Sequence, residues 1–163
     1  MTDRFRRLFE EHHELVYRFL YCLCGDEDDA RELAQETFFR AYKTLGAFEE
    51  RSAASTWLCG IARNVAFNHF RSRKVRLHIV EEPRVREGPE ERAMTAELRE
   101  TIRGALLALD EEKRTAFTLK ILQRRSYEEI AAITGATIGK LKTDVHRARL
   151  HMRELLAKYL EGR

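Results

Sequence analysis

The sequence predicts an all-α protein made of two small helical domains joined by a flexible linker. Apolar residues recur at spacings of three and four along most of the chain, which is the pattern of amphipathic helices. Only two prolines and eight glycines occur in 163 residues, and β-branched runs are few, so little sheet is expected. Periodicity is lost at 77–92, where both prolines lie. The predicted division is therefore 1–76, a linker at 77–92, and 93–163.

The first domain contains three predicted helices. The first spans 2–24 and is followed by a glycine. The second begins at four acids, 26–29, whose charge suits a helix N-terminus, and ends near Gly46. Ser55 is expected to cap the third helix, which runs into a basic cluster at 71–76. This domain should therefore be a small helical bundle with one strongly basic helix end.

Aromatic residues on the third helix have more than one interpretation. The spacing of Trp57 matches that of Leu58 and Ile61, so its ring is expected in the core. Phe67 and Phe70 fit either the core or a stacking surface for nucleic-acid bases. Both interpretations of these two rings remain open from the sequence.

The second domain carries the signature of a helix-turn-helix. Asp110 is expected to cap one helix, and Ser126 with Glu129 three residues later forms a capping box for the next. Gly135 then ends a short helix, and Thr137 begins a second one that is apolar inside and basic outside. Such a helix fits the major groove of DNA. An ordinary helical hairpin with a solvated basic face is the alternative.

Charge is segregated along the chain although the formal net charge is only +3. Six acids and one base lie in 26–36, whereas 51–80 contains no acid. A second basic stretch, 140–153, carries five Lys or Arg residues and a single acid. Two separated basic surfaces on a short chain suggest a polyanion contacted at two places. Solvated helix faces would produce the same pattern for either stretch taken alone.

Several other classes of protein are disfavoured. Three cysteines form an odd, sparse set, which suits a reducing compartment, so a cytoplasmic location is expected. Apolar stretches fall short of the ~20 residues a bilayer requires, and charges interrupt any signal peptide, so no direct membrane insertion is expected. Glu10 and His13 have the spacing of one half of a di-iron site, but the remaining ligands are missing. We expect no catalytic residues, no metal site and no cofactor.

Three segments together resemble a known family. Residues 28–42, DDARELAQETFFRAY, look like the region 2 helix of bacterial sigma factors, and 55–64, STWLCGIARN, resemble its continuation. The YEEIA segment at 127–131 and the basic helix after it resemble region 4. The order and intervals of these motifs, with no further domains, are similar to those of the extracytoplasmic function (ECF) sigma factors.

The resemblance implies a transcription initiation factor rather than an enzyme. In that family the region 2 helix docks on the clamp coiled coil of the β′ subunit of core RNA polymerase. The factor also contacts the β subunit. The residues expected at the clamp contact are Glu32, Gln35, Glu36 and Phe39. An acidic helix with a polar pair beside aromatic residues suits a basic partner helix.

The resemblance also implies two contacts with promoter DNA and a role in promoter melting. The residues expected at the minus-10 element are Arg63, Asn64, Asn68, Arg71, Arg73 and Lys74. The residues expected at the minus-35 element are Lys140, Lys142, Thr143, Asp144, His146, Arg147 and Arg149. Asp144 departs from the basic residue found in many relatives, and it would accept from a cytosine amino group or orient a neighbouring Arg. Many ECF factors are held inactive by an anti-sigma factor, and such a partner is expected here.

A helix-turn-helix regulator that binds an operator without polymerase is the competing interpretation. Its N-terminal half would serve for dimerisation or sensing. The motifs at 28–42 and 55–64 weigh against it, since a simple repressor has no reason to carry them.

Overall fold

The computed structural model describes residues 2–76 and 93–162. It describes the side chains of these residues except those at 74–76 and 93–95. The predicted linker, 77–92, lies outside the described residues. All regular structure within the described ranges is helical. No helix in those ranges is long and apolar enough to cross a bilayer. The predicted all-α class is confirmed.

Seven α-helices cover the described residues, with a 3₁₀ turn after α2 and a π turn after α5. The bounds are α1 Asp3–Cys24, α2 Glu27–Thr44, the 3₁₀ turn Leu45–Ala47, α3 Ala54–Arg76, α4 Ala93–Ala108, α5 Glu111–Phe117, the π turn Thr118–Leu122, α6 Tyr127–Thr134 and α7 Ile138–Glu161.

Side-chain caps fix several helix starts. The Asp110 carboxylate accepts from the Lys113 amide at 2.9 Å, and the Thr137 hydroxyl accepts from the Lys140 amide at 3.2 Å, as the sequence predicts. The Ser126 hydroxyl accepts from the Glu129 amide at 3.1 Å. These bonds satisfy amides that have no partner inside a helix.

Three local predictions require correction. Ser55 does not cap α3, because that helix begins one residue earlier and places Ser55 in its first turn. The capping box at α6 is only half formed, since the Glu129 carboxylate accepts from the Ser126 hydroxyl instead of the Ser126 amide. Gly46 lies inside the 3₁₀ turn, and α2 ends two residues before it.

Helices α1, α2 and α3 pack against one another as the N-terminal half of the molecule. Trp57 lies at the margin of the core, half-buried and stacked on Phe48 with ring centroids 4.4 Å apart. Phe67 and Phe70 are also half-buried and pack against the core. Each of the three rings therefore contributes to the core and remains partly accessible.

The C-terminal half consists of α4 to α7, with α7 contacting α4, α5 and α6. This half packs directly on the N-terminal one, since α6 contacts α3 while α4 and α5 contact α1. One apolar cluster includes Leu20 and Leu58 from the first half and Leu119, Ile130 and Leu141 from the second. The two halves therefore share a core.

Gly25 occupies a point where the two halves approach closely. It ends α1 in the left-handed conformation, with φ of 70°, and its amide donates to the Tyr21 carbonyl at 2.8 Å. A Cβ placed there would lie 2.7 Å from Cδ1 of Leu107 on α4. Glycine is required both by the backbone conformation and by the neighbouring helix.

We expect Gly25→Ala to lower the free energy of unfolding by about 2 kcal/mol, because left-handed backbone strain adds to displacement of Leu107. Urea denaturation followed by circular dichroism measures the change.

Two glycines provide matched controls. Gly135 has a similar φ of 73°, and a Cβ placed there would have no neighbour within 4 Å. Gly135→Ala should therefore lower the free energy of unfolding by only about 1 kcal/mol. Gly60→Ala lies within α3 with open space around it and should be neutral or stabilising by up to about 1 kcal/mol. Equal costs for Gly25→Ala and Gly135→Ala would contradict the close approach of α4.

Candidate nucleic-acid interface

A groove between α2 and α3 brings together side chains that the sequence assigned to two different contacts. All four residues expected at the polymerase clamp line its α2 wall: Glu32, Gln35, Glu36 and Phe39. Asn68, expected at the minus-10 element, lines the α3 wall together with His69 and Ser72. The structure therefore places these two predicted surfaces side by side.

The α2 wall combines negative charge with an exposed aromatic ring. Glu36 accepts from Arg40 Nε at 2.7 Å, one turn along the helix. The Phe39 ring is 52 % exposed, and the Lys43 ammonium lies 4.2 Å from its centroid. An accessible ring flanked by carboxylates can bind an apolar and basic surface of a partner.

The exposed stripe of α3 carries polar residues at helical spacing. Asn64, Asn68 and Arg71 follow one another at intervals of four and three and are exposed. Amide and guanidinium groups in a row can bond to bases and phosphates of a single strand. This stripe forms the outer part of the predicted minus-10 surface.

Arg63 differs from its neighbours on α3, because it points between the two halves of the molecule. Its guanidinium lies 4.1 Å from the Phe67 ring centroid and donates to the Asn64 side chain at 3.3 Å. Burial lowers the pKa of Arg63, and its Nε is buried without a hydrogen-bond partner. The same cavity is lined from the other half by Glu112 and Lys140.

The basic end of α3 is tied to the acidic start of α2. Arg73 Nη1 donates to Asp29 Oδ2 at 2.6 Å, and His69 Nε2 lies 3.7 Å from the same oxygen. Arg73 keeps about half of its side chain exposed. The side chain of Lys74, the remaining residue of the predicted minus-10 set, is outside the described residues.

Helix α7 presents the expected basic face to solvent. Its inward positions are Leu141, Asp144, Val145, Ala148 and Met152, all buried. The exposed residues of the predicted minus-35 set are Lys140, Lys142, Thr143, His146, Arg147 and Arg149. The α6–turn–α7 unit therefore has the helix-turn-helix arrangement, with its second helix basic on the outside.

Asp144 lies on the inner side of α7, and in this arrangement its carboxylate is directed at Lys140. Lys140 Nζ donates to Asp144 and to Glu112 of α5, both at 2.6 Å. These two hydrogen bonds raise the pKa of Lys140. Asp144 is only 7 % exposed, so it holds a lysine in place between α5 and α7.

Comparison with known proteins identifies the family. Residues 8–76 match Sigma-70 region 2, and residues 99–152 match Sigma-70 region 4. ECF RNA polymerase sigma factor SigW of Bacillus subtilis is 30 % identical over 94 % of this chain and 89 % of its own length. The chain belongs to the ECF sigma factors. Members of this family are transcription initiation factors and not enzymes.

Further comparisons agree with this assignment. RNA polymerase sigma factor YlaC of B. subtilis is 31 % identical over 98 % of this sigma factor and 95 % of its own length. The sigma factor RpoE of Bartonella quintana, solved in complex with the anti-sigma factor NepR, is 27 % identical with a TM-score of 0.81. That match covers 96 % of this chain and 98 % of the other, so it spans both halves.

Other buried groups of this sigma factor were not predicted from its sequence. Arg114 and Arg125 are 8 % and 7 % exposed and bond across the two halves, although both lie in segments rich in exposed charge. Burial raises the pKa of the Cys59 thiol and raises that of Cys24 to about 11. No group of His, Cys, Asp and Glu suited to a metal ion occurs among the residues that the structure describes.

We expect Asp144→Asn to lower the free energy of unfolding of this sigma factor by about 1–2 kcal/mol, because a buried, charge-assisted bond to Lys140 is weakened. Glu154→Gln removes an exposed carboxylate from the same helix and should change stability by less than about 0.5 kcal/mol. Urea titration of both variants measures the difference. Unchanged stability of Asp144→Asn would contradict a stabilising buried bond between Asp144 and Lys140.

Proposed function

We propose that this ECF sigma factor binds core RNA polymerase, directs it to promoters through the minus-10 and minus-35 elements, and assists promoter melting. Its domains would be 1–76 for core polymerase and minus-10 binding and 93–163 for minus-35 binding. The segment 77–92 would connect them, and the protein would act in the cytoplasm. The observation that carries the proposal is the groove between α2 and α3, together with membership of the family.

The groove fits a clamp helix of polymerase by its chemistry. Glu32, Glu36 and Gln35 offer acceptors to a basic helix, and the exposed Phe39 ring offers apolar contact. We propose the coiled coil of the β′ clamp as the partner of these four residues, with the β subunit completing the contact.

Two surfaces have the properties needed for two forms of DNA. On α3, exposed Asn64 and Asn68 and the basic residues beyond them suit a separated strand, where bases are accessible. On α7, Arg147 and its exposed neighbours suit the major groove of a duplex. Asp144 contributes to the second surface by holding Lys140. We propose these surfaces for the minus-10 and minus-35 elements, respectively.

An anti-sigma factor is a proposed further partner. The arrangement of both halves is similar to that of a sigma factor solved with its anti-sigma factor. This likeness supports a partner that binds the two halves together.

The deciding experiment is transcription in vitro with bacterial core polymerase on a library of genomic promoters, with start sites mapped. Promoter-selective initiation should require this chain. A Gln35→Ala/Glu36→Ala variant should lose retention on core polymerase by about tenfold, whereas Glu10→Ala/Glu11→Ala, on exposed positions of α1, should not. Binding of duplex DNA without retention of core polymerase would favour the operator-binding regulator.

We expect Arg147→Ala to weaken minus-35 duplex binding and to reduce the slope of log K against log salt by about 1, since one phosphate contact releases about one counterion. Arg153→Ala removes an exposed arginine six residues further along α7, beyond the proposed contact set, and should leave the slope unchanged. Fluorescence anisotropy between 50 and about 200 mM salt measures both slopes. Equal slopes for Arg147→Ala and the parent chain would show that Arg147 does not contact a phosphate.

A further inference from the structure

A lysine at the start of α7, the second helix of the helix-turn-helix, is held by two carboxylates. Lys140 is the third residue of α7. Its ammonium donates to Asp144, about one turn further along the same helix, and to Glu112 of α5, both at 2.6 Å. We call these three side chains the α5–α7 triad. All of them belong to the C-terminal half, so the triad does not depend on contacts with the N-terminal half.

The triad carries more negative than positive charge, although it lies on a basic helix. Two carboxylates against one ammonium leave an excess of one negative charge. Further along α7, Lys142, Arg147 and Arg149 are exposed cations. A phosphate that approached Lys140 would also approach both carboxylates, and like charges repel one another. The triad is therefore a place on this basic helix where phosphate is disfavoured.

Packing between α5 and α7 fixes the triad, since the order of charges along α7 alone would not. A lysine four residues before an acid is the weaker orientation of an ion pair within a helix. Asp144 is nevertheless buried, and Glu112 reaches the same ammonium from another helix. The start of α5 is itself fixed by Asp110, whose carboxylate accepts from the Lys113 amide at 2.9 Å. The ammonium is thus held from two helices.

One donor of the Lys140 ammonium is left for a ligand. The triad uses two of its three N–H groups, and the third has no acceptor among the residues that the structure describes. The side chain of Lys140 is 46 % exposed. When the second helix of a helix-turn-helix lies in the major groove, its N-terminal residues contact base edges. A lysine there donates to O6 and N7 of guanine, which are neutral acceptors.

We propose that Glu112 and Asp144 are positioning residues that set DNA specificity: they keep Lys140 from binding phosphate and present its remaining donor to a guanine of the minus-35 duplex. This inference rests on the proposed function and deepens it, because it assigns Lys140 to a base instead of the backbone. Arg147 provides the contrast. It is exposed, lines the same cleft between α5 and α7, and is the proposed phosphate contact. Two cations of one cleft therefore have different tasks.

The first test measures whether the triad protects Lys140, and it needs no DNA. Acetic anhydride attacks only the neutral amine, and hydrogen bonds to carboxylates favour the ammonium. We expect Glu112→Gln to speed acetylation of Lys140 by about threefold, with Lys142 as internal reference, as read by peptide mass spectrometry. Asp144→Asn should act in the same direction. Glu154→Gln removes an exposed carboxylate about 20 Å further along α7 and should change neither rate.

The second test compares binding of two duplexes by fluorescence anisotropy over a range of salt concentrations. One duplex carries the minus-35 element of a promoter mapped by the transcription experiment, and the other has a random sequence of the same length. Lys140→Ala should weaken binding of the promoter duplex by about fivefold with an unchanged salt slope, since a base contact releases no counterion. Glu112→Gln frees a cation, so it should tighten binding of the random duplex by about threefold and steepen its slope by up to about 1. Glu154→Gln should change neither quantity.

The outcomes separate failure of this inference from failure of the proposed function. If the parent chain does not prefer the promoter duplex, the proposed minus-35 contact fails and the specificity role of the triad fails with it. If the preference exists but Lys140→Ala lowers the salt slope as Arg147→Ala does, Lys140 contacts phosphate and only the present inference is wrong. Weaker binding of both duplexes by Glu112→Gln would show that this carboxylate merely supports the fold. An unchanged acetylation rate of Lys140 in that variant would also overturn the inference.

Discussion

Helix α3 is packed from several directions, and the surfaces of the molecule follow from that packing. It contacts α1 and α2 within its own half and α6 of the other half. Small side chains permit this, since Ala62 and Ala66 are fully buried and allow neighbouring helices to approach closely. Among the described side chains of α3, those that remain exposed are Asn64, Asn68, Arg71, Ser72 and Arg73. The candidate single-strand surface is the part of α3 that no other helix covers.

Acidic and basic segments that are separate in the sequence lie side by side in the fold. The acidic start of α2 lies beside the basic end of α3, and Asp29 joins them through Arg73. The groove between the two helices has Glu32, Glu36 and Arg40 on its α2 wall and the polar side chains of Asn68, His69 and Ser72 on its α3 wall. Under the proposed function, the α2 wall would bind polymerase, and the neighbouring polar stripe of α3 would bind a separated DNA strand.

Helix positions and the helix-turn-helix were predictable because they depend on local signals. Asp110, Ser126 and Thr137 cap helices by bonding to amides three residues away, and such pairs are visible in the sequence. The exposed basic face of α7 follows from helical periodicity. The inward direction of Asp144 also follows from it, since it shares a face with Leu141 and Ala148, but its charge suggested a surface position.

The contacts between the halves were not predictable in this way. Arg125 and Thr56 are sixty-nine positions apart, and nothing local to either marks the bond between them. Charged residues at 111–113 precede Arg114 and suggest an exposed position. Its guanidinium instead donates hydrogen bonds to carbonyls of both halves, those of Leu106 and Leu23. Phe67 and Phe70 were ambiguous because groups of the C-terminal half decide how much of each ring is covered. Phe67 lines a cavity with Glu112, and the Arg114 guanidinium lies 5.9 Å from the Phe70 ring centroid.

The π turn Thr118–Leu122 explains how Arg125 reaches α3. Here the chain forms wider hydrogen-bonded loops, with the Gln123 amide donating to Thr118 and the Arg125 amide to Leu119, both at 3.1 Å. A π turn accommodates one residue more than an α-helical turn of the same rise. Deleting a single residue here would rotate everything after it by about 100° and swing the guanidinium away from Thr56. The bond between Arg125 and Thr56 therefore constrains the length of this short segment.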